Sequence, residues 1–183
     1  MTPVLETERL FLRPLELADA EQVQQLFPHW EIVRLLASIV PWPYPPDGAR
    51  TYYEQVALPA IARGDEWHWT LRLKTDPDHL IGAIMVAKGS NSRGFWLGLP
   101  WQGQGLMSEA SEAATDFWFN TLGFDRMRIP KAAANLASRR ISEKQGMHVV
   151  ETKESDYVSG RLPTEVWEIT RSEWNARRQN MVF

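Results

Sequence analysis

Cysteine is absent from the 183 residues, which removes disulfides, thiolate nucleophiles and cysteine-held zinc, and fits a reducing compartment. The expected location is cytoplasmic. Long apolar runs are missing as well: "LIGAIMVA" at 80–87 is among the longest and falls far short of the roughly 18 residues of a membrane span. The opening "MTPVLETERLFLRP" carries charge early and has no apolar h-region, so it does not read as a secretion signal. No membrane partner is expected. An excess of positive charge is also lacking, the net formal charge being -3, so nothing suggests the basic field that drives nucleic-acid binding. Several catalytic signatures are missing too. There is no G-x-x-x-x-G-K-[ST] run for nucleoside triphosphates and no G-x-S-x-G nucleophile elbow, and His29, His68, His79 and His148 are not at metal-ligand spacing, so no metal is expected.

What is present is ordinary for a globular chain: 44% hydrophobic and 23% charged residues, in a length that suits one domain burying about two thirds of its unfolded surface. With no repeat and no break in composition, residues 1–183 are expected to form that single domain. The nine tryptophans are read first as packing residues and second as a substrate lining.

Periodicity orders the elements. "RLFLRPLE" (9–16) alternates like a strand, and "LADAEQVQQLF" (17–27) has helical spacing. "SIVPWPYPPDG" (38–48) is a proline-rich loop, and 49–64 is a helix interrupted or ended near Pro59. Two alternating runs, 66–74 and 80–89, read as a hairpin turning at "TDPDH"; 93–99 is a third adjacent strand. A helix over 106–121 carries Leu106, Ala110, Ala113, Ala114, Phe117 and Trp118 on one stripe and Glu109, Glu112 and Asp116 opposite. The 125–133 segment is a strand whose proline assigns it to an edge or to a place where the sheet opens. Asn135 caps a helix closed by Gly146, and two strands, 148–157 and 163–171, finish the sheet.

The informative stretch is "FWLGLPWQGQGLMSEA" (95–110). A strand passes through Gln102-Gly103-Gln104-Gly105 directly into a helix, whose first-turn N–H groups have no intrahelical acceptor. Those donors and the positive end of the helix dipole suit a phosphate, which glycine lets the backbone approach closely; a tight turn without a ligand would look the same locally. The dinucleotide fingerprint G-x-G-x-x-G breaks at Ser108, and Asp125 opens the next strand instead of ending it.

This stretch resembles the cofactor motif [QR]-x-x-G-x-[GA] of the GNAT superfamily of acyl-CoA-dependent N-acetyltransferases, in the form Gln102-Gly103-Gln104-Gly105-Leu106-Met107, with Met107 where Gly or Ala is usual. The opening "LETERLFLRPLELADA" and "ANLASRRISEKQGM" are similar to the branch holding the RimJ and RimL ribosomal-protein N-terminal acetyltransferases, whose N-x-x-S…K-x-G-[FM] signature is matched by Asn135, Ser138, Lys144 and Gly146. The resemblance implies an α/β (α+β) fold, a mixed, mostly antiparallel sheet of about seven strands splayed between strands 4 and 5 and flanked by helices. It places acetyl-CoA in the gap. Pantetheine would bond the backbone of Trp96, Leu97 and Gly98, the pyrophosphate would sit on Gly103, Gln104, Gly105, Leu106, Met107 and Ser108, and Asn135 would face it from the other wall, with Arg140 and Lys144 near the CoA phosphates.

The chemistry the resemblance implies is direct attack of a primary amine on a thioester. Many members carry a tyrosine acid where this chain has Ser142; in the RimL-like branch the serine of N-x-x-S is assigned that role, so the resemblance implies Ser138 as the acid. For the base the carboxylates Glu66, Glu151, Glu154 and Glu165 remain open, Glu154 and then Glu165 being preferred because the late strands flank the acceptor side. The acceptor wall is expected from Trp42 and Tyr44 of the proline-rich loop, which is stiff, and from Tyr157. A protein amino terminus is the expected acceptor. A small amine such as an antibiotic or polyamine, or acyl-CoA binding without turnover, stays open, as does monomer or homodimer.

Overall fold

The structure, a computed structural model, describes residues 1–179. Its strands form two sheets instead of one. β1 (Leu5–Glu6), β2 (Leu10–Pro14), β3 (Glu66–Leu73), β4 (Asp76–Ala87) and β5 (Arg93–Leu97) lie in sequence order, while β6 (Arg126–Ala132), β8 (Gly160–Thr170) and β7 (His148–Tyr157) form the second sheet, with β8 in the middle. Every ladder is antiparallel. The sheets meet at one point, where Ser92 N–H donates to the Arg128 carbonyl at 2.7 Å and Arg128 N–H to Ser92 Oγ at 3.1 Å. Beyond it β5 and β6 carry no mutual ladder, and Pro130 removes one donor from β6. The expected opening is thus found between residues 93–97 and 126–132. The strand count rises to eight because Leu5–Glu6 pairs with Phe11 and Leu12.

Alternation along β3 explains the layers. Trp67, Trp69 and Leu71 face the core shared with Leu106, Met107, Ala110, Ala114 and Phe117 of helix α5 (Leu106–Asp116), which continues through a wide π turn to Thr121. The intervening His68, Thr70 and Arg72 are buried towards the opposite face. There α1 (Ala20–Leu26), α2 (Trp30–Val33), α3 (Gly48–Tyr52) and α4 (Leu58–Arg63) form a second core around Val23, Phe27, Val33, Tyr53 and Leu80. A guanidinium under that layer requires a counter-charge, and Asp19 supplies it at 2.5 Å. Helix α6 (Leu136–Lys144) follows β6, with Asn135 Oδ1 accepting from Ser138 N–H as its cap.

Several sequence expectations shift. Pro59 does not end its helix: the chain widens into a π turn over Tyr53–Ala57 and continues to Arg63, a local widening that absorbs the missing donor. The hairpin turns at Lys74 and Thr75, so that "DPDH" belongs to β4, and β8 begins at Gly160 instead of 163. Helix α2 and helix α7 (Arg171–Gln179) had no apolar period to announce them. α7 hangs on one buried ring, Trp174, and on a capping box in which Thr170 N–H donates to Glu173 and Glu173 N–H to Thr170 Oγ1; T-x-x-E was legible as such a start. Trp67, Trp69, Trp118, Trp167 and Trp174 are buried, in keeping with packing as the main use of tryptophan here.

Gly82 sets how closely β5 lies on β4, since a Cβ there would stand 2.5 Å from the Trp96 carbonyl oxygen and 3.0 Å from Leu97 Cα. Gly82→Ala should lower stability by about 1–3 kcal/mol, the usual cost of overpacking, measured by urea unfolding. An unchanged midpoint would refute this close approach.

Candidate active site

Strand β5 leads through a short 3-10 turn (Leu99–Trp101) to the glycine turn. Gly103 and Gly105 adopt φ of +74° and +78°, conformations that other residues adopt only with strain. A Cβ built on Gly103 meets nothing within 4 Å, and on Gly105 only the Arg9 guanidinium at 3.5 Å, so the space above the turn is open. The first bond of α5 is from Glu109 N–H to the Gly105 carbonyl at 3.1 Å; among the described residues none of the N–H groups from Gly103 to Ser108 has a protein acceptor. Met107 is buried in the main core, so its side chain leaves the turn clear. The turn therefore fits a diphosphate on geometry as well as on dipole.

Arg9 completes it, a residue the motif search did not single out. Its guanidinium donates to the Gln104 carbonyl at 3.0 Å and to Glu109 at 2.7 Å, which puts a cation beside the orphan amides. Partial burial works to raise the Glu109 pKa, yet hydrogen bonds from Thr7 and Arg9 outweigh it and hold the carboxyl below its ordinary value.

The second part of the site is the opening between the sheets. β5 ends the first sheet, so one backbone edge faces the gap. Gly98 N–H is spent on the Ile81 carbonyl at 2.8 Å, and ladder alternation then turns Trp96 towards β4 and leaves Phe95 and Leu97 facing outward. The Leu97 carbonyl accepts from Gln102 Nε2 at 2.8 Å. A cleft of about 270 Å³ runs through the opening, lined among others by Arg93, Phe95, Ile129, Lys131, Asn135, Ser138 and Tyr157. Its far wall, Leu35–Ala37, is tied to the tip of β7 by backbone bonds from Val158 to Leu36 and from Ser38 to Asp156. A slightly larger hollow of about 310 Å³ between β1, α5 and Trp174 shares no residue with the cleft or the glycine turn.

Two cations in the cleft wall are buried. Lys131 Nζ donates to the Ser138 carbonyl at 3.0 Å and to Ser142 Oγ, and lies 5.6 Å from the Trp167 ring centroid. Burial, reinforced by the Arg93 charge, pushes its pKa down to about 6. Arg93 gives one nitrogen to Thr115 Oγ1 and Gln145 Oε1, both at 2.6 Å, and burial lowers its pKa to about 10. Both were missed in the sequence, although they occupy inward positions of alternating runs: Met127, Ile129, Lys131 on β6 and Arg93, Phe95, Leu97 on β5. A charged residue in phase with apolar ones was the available signal.

The sequence-derived residues fall into two groups. The cleft brings together Asn135, Ser138 and Tyr157, and Tyr157 is anchored by Thr164 at 2.7 Å. Gln102 to Ser108 form the turn. Glu154 is exposed and out of phase with Lys153, Ser155 and Tyr157, which line the cleft. Glu165 lies behind Lys131 in register, ion-paired with Arg139 at 3.1 Å and accepting from Trp167 at 3.1 Å. Glu66 binds His68 at 2.6 Å and Glu151 pairs with Lys153, so none of the four carboxylates lines the cleft. Arg140 and Lys144 are exposed on α6. Trp42 packs against Trp30 at 5.6 Å and Tyr44 against Phe27 at 5.1 Å, and neither lines the cleft. Burial raises the Tyr44 pKa to about 12.

Residues 9–148 match the family model of the acetyltransferase (GNAT) domain. The probable N-acetyltransferase YjcK of Bacillus subtilis (strain 168) is 26% identical over 161 residues, 79% of this chain and 83% of that protein. Among solved structures, the ribosomal-protein α-N-acetyltransferase RimL in complex with coenzyme A has a TM-score of 0.78 at 16% identity, covering 92% of this chain and 98% of that one. A variant of the spermidine N-acetyltransferase SpeG from Vibrio cholerae has a TM-score of 0.72 at 18% identity, with coverage of 92% and 98%. At these identities the two structures speak for the fold.

Lys131 makes stability depend on pH. Its pKa falls from 10.5 to about 6 on folding, so between those values the unfolded chain binds more protons and the native state gains stability as pH rises, by at most about 1.4 kcal/mol per unit. Relative to the wild type, Lys131→Met should gain most at pH 6–7, and the gap should shrink towards pH 9. Urea unfolding of both proteins across this range checks it; parallel profiles would refute a depressed lysine.

Proposed function

The chain belongs to the acetyltransferase (GNAT) domain family, and from that premise we propose that its acceptor is an α-amine, that of a protein amino terminus. The chain's activity is that of an acetyl-CoA-dependent N-acetyltransferase. The observation that carries the α-amine reading is the scarcity of carboxylate in the cleft. Asp156 is its one carboxylate, and that group is exposed and ion-paired with Arg161 at 3.3 Å. An α-amine with a pKa near 7.7–8.0 is already about a tenth neutral at pH 7, whereas deprotonating a lysine near 10.4 costs about 4.6 kcal/mol there. A cleft without a free carboxylate suits the first. It also carries the charged Arg93, which disfavours a polyamine, so the resemblance to the spermidine enzyme stops at the fold.

Acetyl-CoA supplies the activated acyl thioester. The amides of 103–108 and the Arg9 guanidinium would hold its diphosphate, and the β5 edge at Phe95 and the Leu97 N–H would orient the arm leading to the thioester. With acetyl-CoA bound, the C–N bond would form as the C–S bond breaks, the amine giving up one proton to solvent and the departing sulfur gaining one. Ser138 Oγ is the donor assigned to the sulfur. Ser138 stands on the first turn of α6 at the cleft wall, and its protein bonds use only its backbone N–H and carbonyl.

Thiol release should be seen with acetyl-CoA and a peptide whose α-amine is free and whose lysines are acetylated. It should be absent with the same peptide blocked at its amino terminus, and with spermidine. Turnover of spermidine alone would overturn the α-amine reading. Ser138→Ala should lower kcat about a hundredfold, within the usual range for a lost proton donor, while KM for acetyl-CoA stays within about twofold. An unchanged kcat removes Ser138 from the chemistry.

A further inference from the structure

Three basic side chains of the described residues lie buried. Arg72 has Asp19 beside it, but Arg93 and Lys131, 2% and 5% exposed, have no carboxylate. The nearby acids are committed elsewhere. Glu165, opposite Lys131 in the ladder, is ion-paired with Arg139, and Glu112, whose charge Arg93 feels, binds Arg177. Glu143 on α6 is exposed.

Arg93 is also short of acceptors. One of its nitrogens serves Thr115 and Gln145, while Nε and Nη2 have no protein acceptor, and the Gln145 Nε2 beside it has none either. A guanidinium out of water without a counter-charge is costly, and at pH 7 it cannot relieve the cost by losing its proton. Its free donors form part of a planar fork matched to a carboxylate. Phe95, Ile129, Pro130 and Leu36 give the mixed lining of this cleft an apolar part, which favours a short carbon chain ending in that anion over a bare phosphate. The diphosphate site at Gly103–Ser108 is a separate feature at the opposite end of β5.

We propose that Arg93 and Lys131 form a carboxylate-binding site at the closed end of the cleft, beside Ser92 and Arg128, taking a carboxylate carried either by the acceptor or by the acyl chain. The proposal rests on the acyl-CoA reading above. It names what a substrate must bring in addition to its amine or thioester. Lys131, facing Arg93 from β5, Arg139 and Glu143 from α6 and Glu165 from β8, takes up a proton when the anion arrives, so binding near pH 7 is accompanied by proton uptake.

Calorimetry on the full chain tests this without turnover. One arm compares succinyl-CoA with butyryl-CoA; the other, with coenzyme A present, compares N-acetyl peptides beginning with glutamate or with glutamine. In one arm the carboxylate compound should bind at least about tenfold tighter, the low end of what a hydrogen-bonded charge contributes. Its heat should vary with buffer ionisation as proton uptake requires. Arg93→Met should erase that preference, and Arg93→Lys should recover only part of it; acetyl-CoA should bind both variants within about threefold of wild type, which shows that they fold. The arm that responds identifies the source. Equal affinities in both arms while acetyl-CoA still binds would overturn the carboxylate site and leave the acyltransferase reading standing; failure of acetyl-CoA to bind the wild type would instead sink the reading beneath it.

Discussion

Everything that makes this chain a site depends on two strands that do not pair. β5 and β6 touch through Ser92 and Arg128 and then separate, so an unspent backbone edge lies inside the protein instead of at its rim. An open edge in a buried place is costly unless something satisfies it. Around that opening every ladder is antiparallel, so the two unpaired inner edges face each other across one gap. The glycine turn extends the same condition at the outer end of β5, where helix α5 begins with its first amides unpaired.

The charges divide along the same line. Where the fold buries a cation for its own sake it supplies the partner, as Asp19 does for Arg72. Near the opening that discipline lapses: Arg93 and Lys131 face a cleft and not a carboxylate. Low dielectric and mutual repulsion turn the lysine into an amine that is mostly uncharged at neutral pH, whereas the arginine keeps its charge. The carboxylates Glu151 and Glu165 of β7 and β8 are ion-paired with Lys153 and Arg139, and Glu154 is exposed.

Much of the fold was readable because each element carried its own period. The stripe Leu106, Ala110, Ala114 and Phe117 located α5, and the alternation of Trp67, Trp69 and Leu71 located β3. The elements that escaped are short or nearly all polar: β1 is two residues long, α2 is one turn anchored by Ile32 and Val33, and α7 rests on Trp174 and its cap. Of the site, the turn was legible down to individual residues, since Gly103 and Gly105 are demanded by local backbone geometry. Arg9 was not, because its neighbour Gln104 is remote in sequence and close only once β2 is laid beside α5.

What the sequence determined by itself, then, is whatever depends on neighbours along the chain: element type, the positive-φ turn, the helix cap at Asn135 and the family motifs built on them. What the tertiary structure decided is which side chains share the cleft. Glu154 and Lys153 differ by one position and are both exposed, but only Lys153 borders the cleft. Lys131 becomes unusual only because β5, β8 and α6 enclose it together. Proximity across sheets and the loss of water are properties of the packed molecule, and no local pattern encodes them.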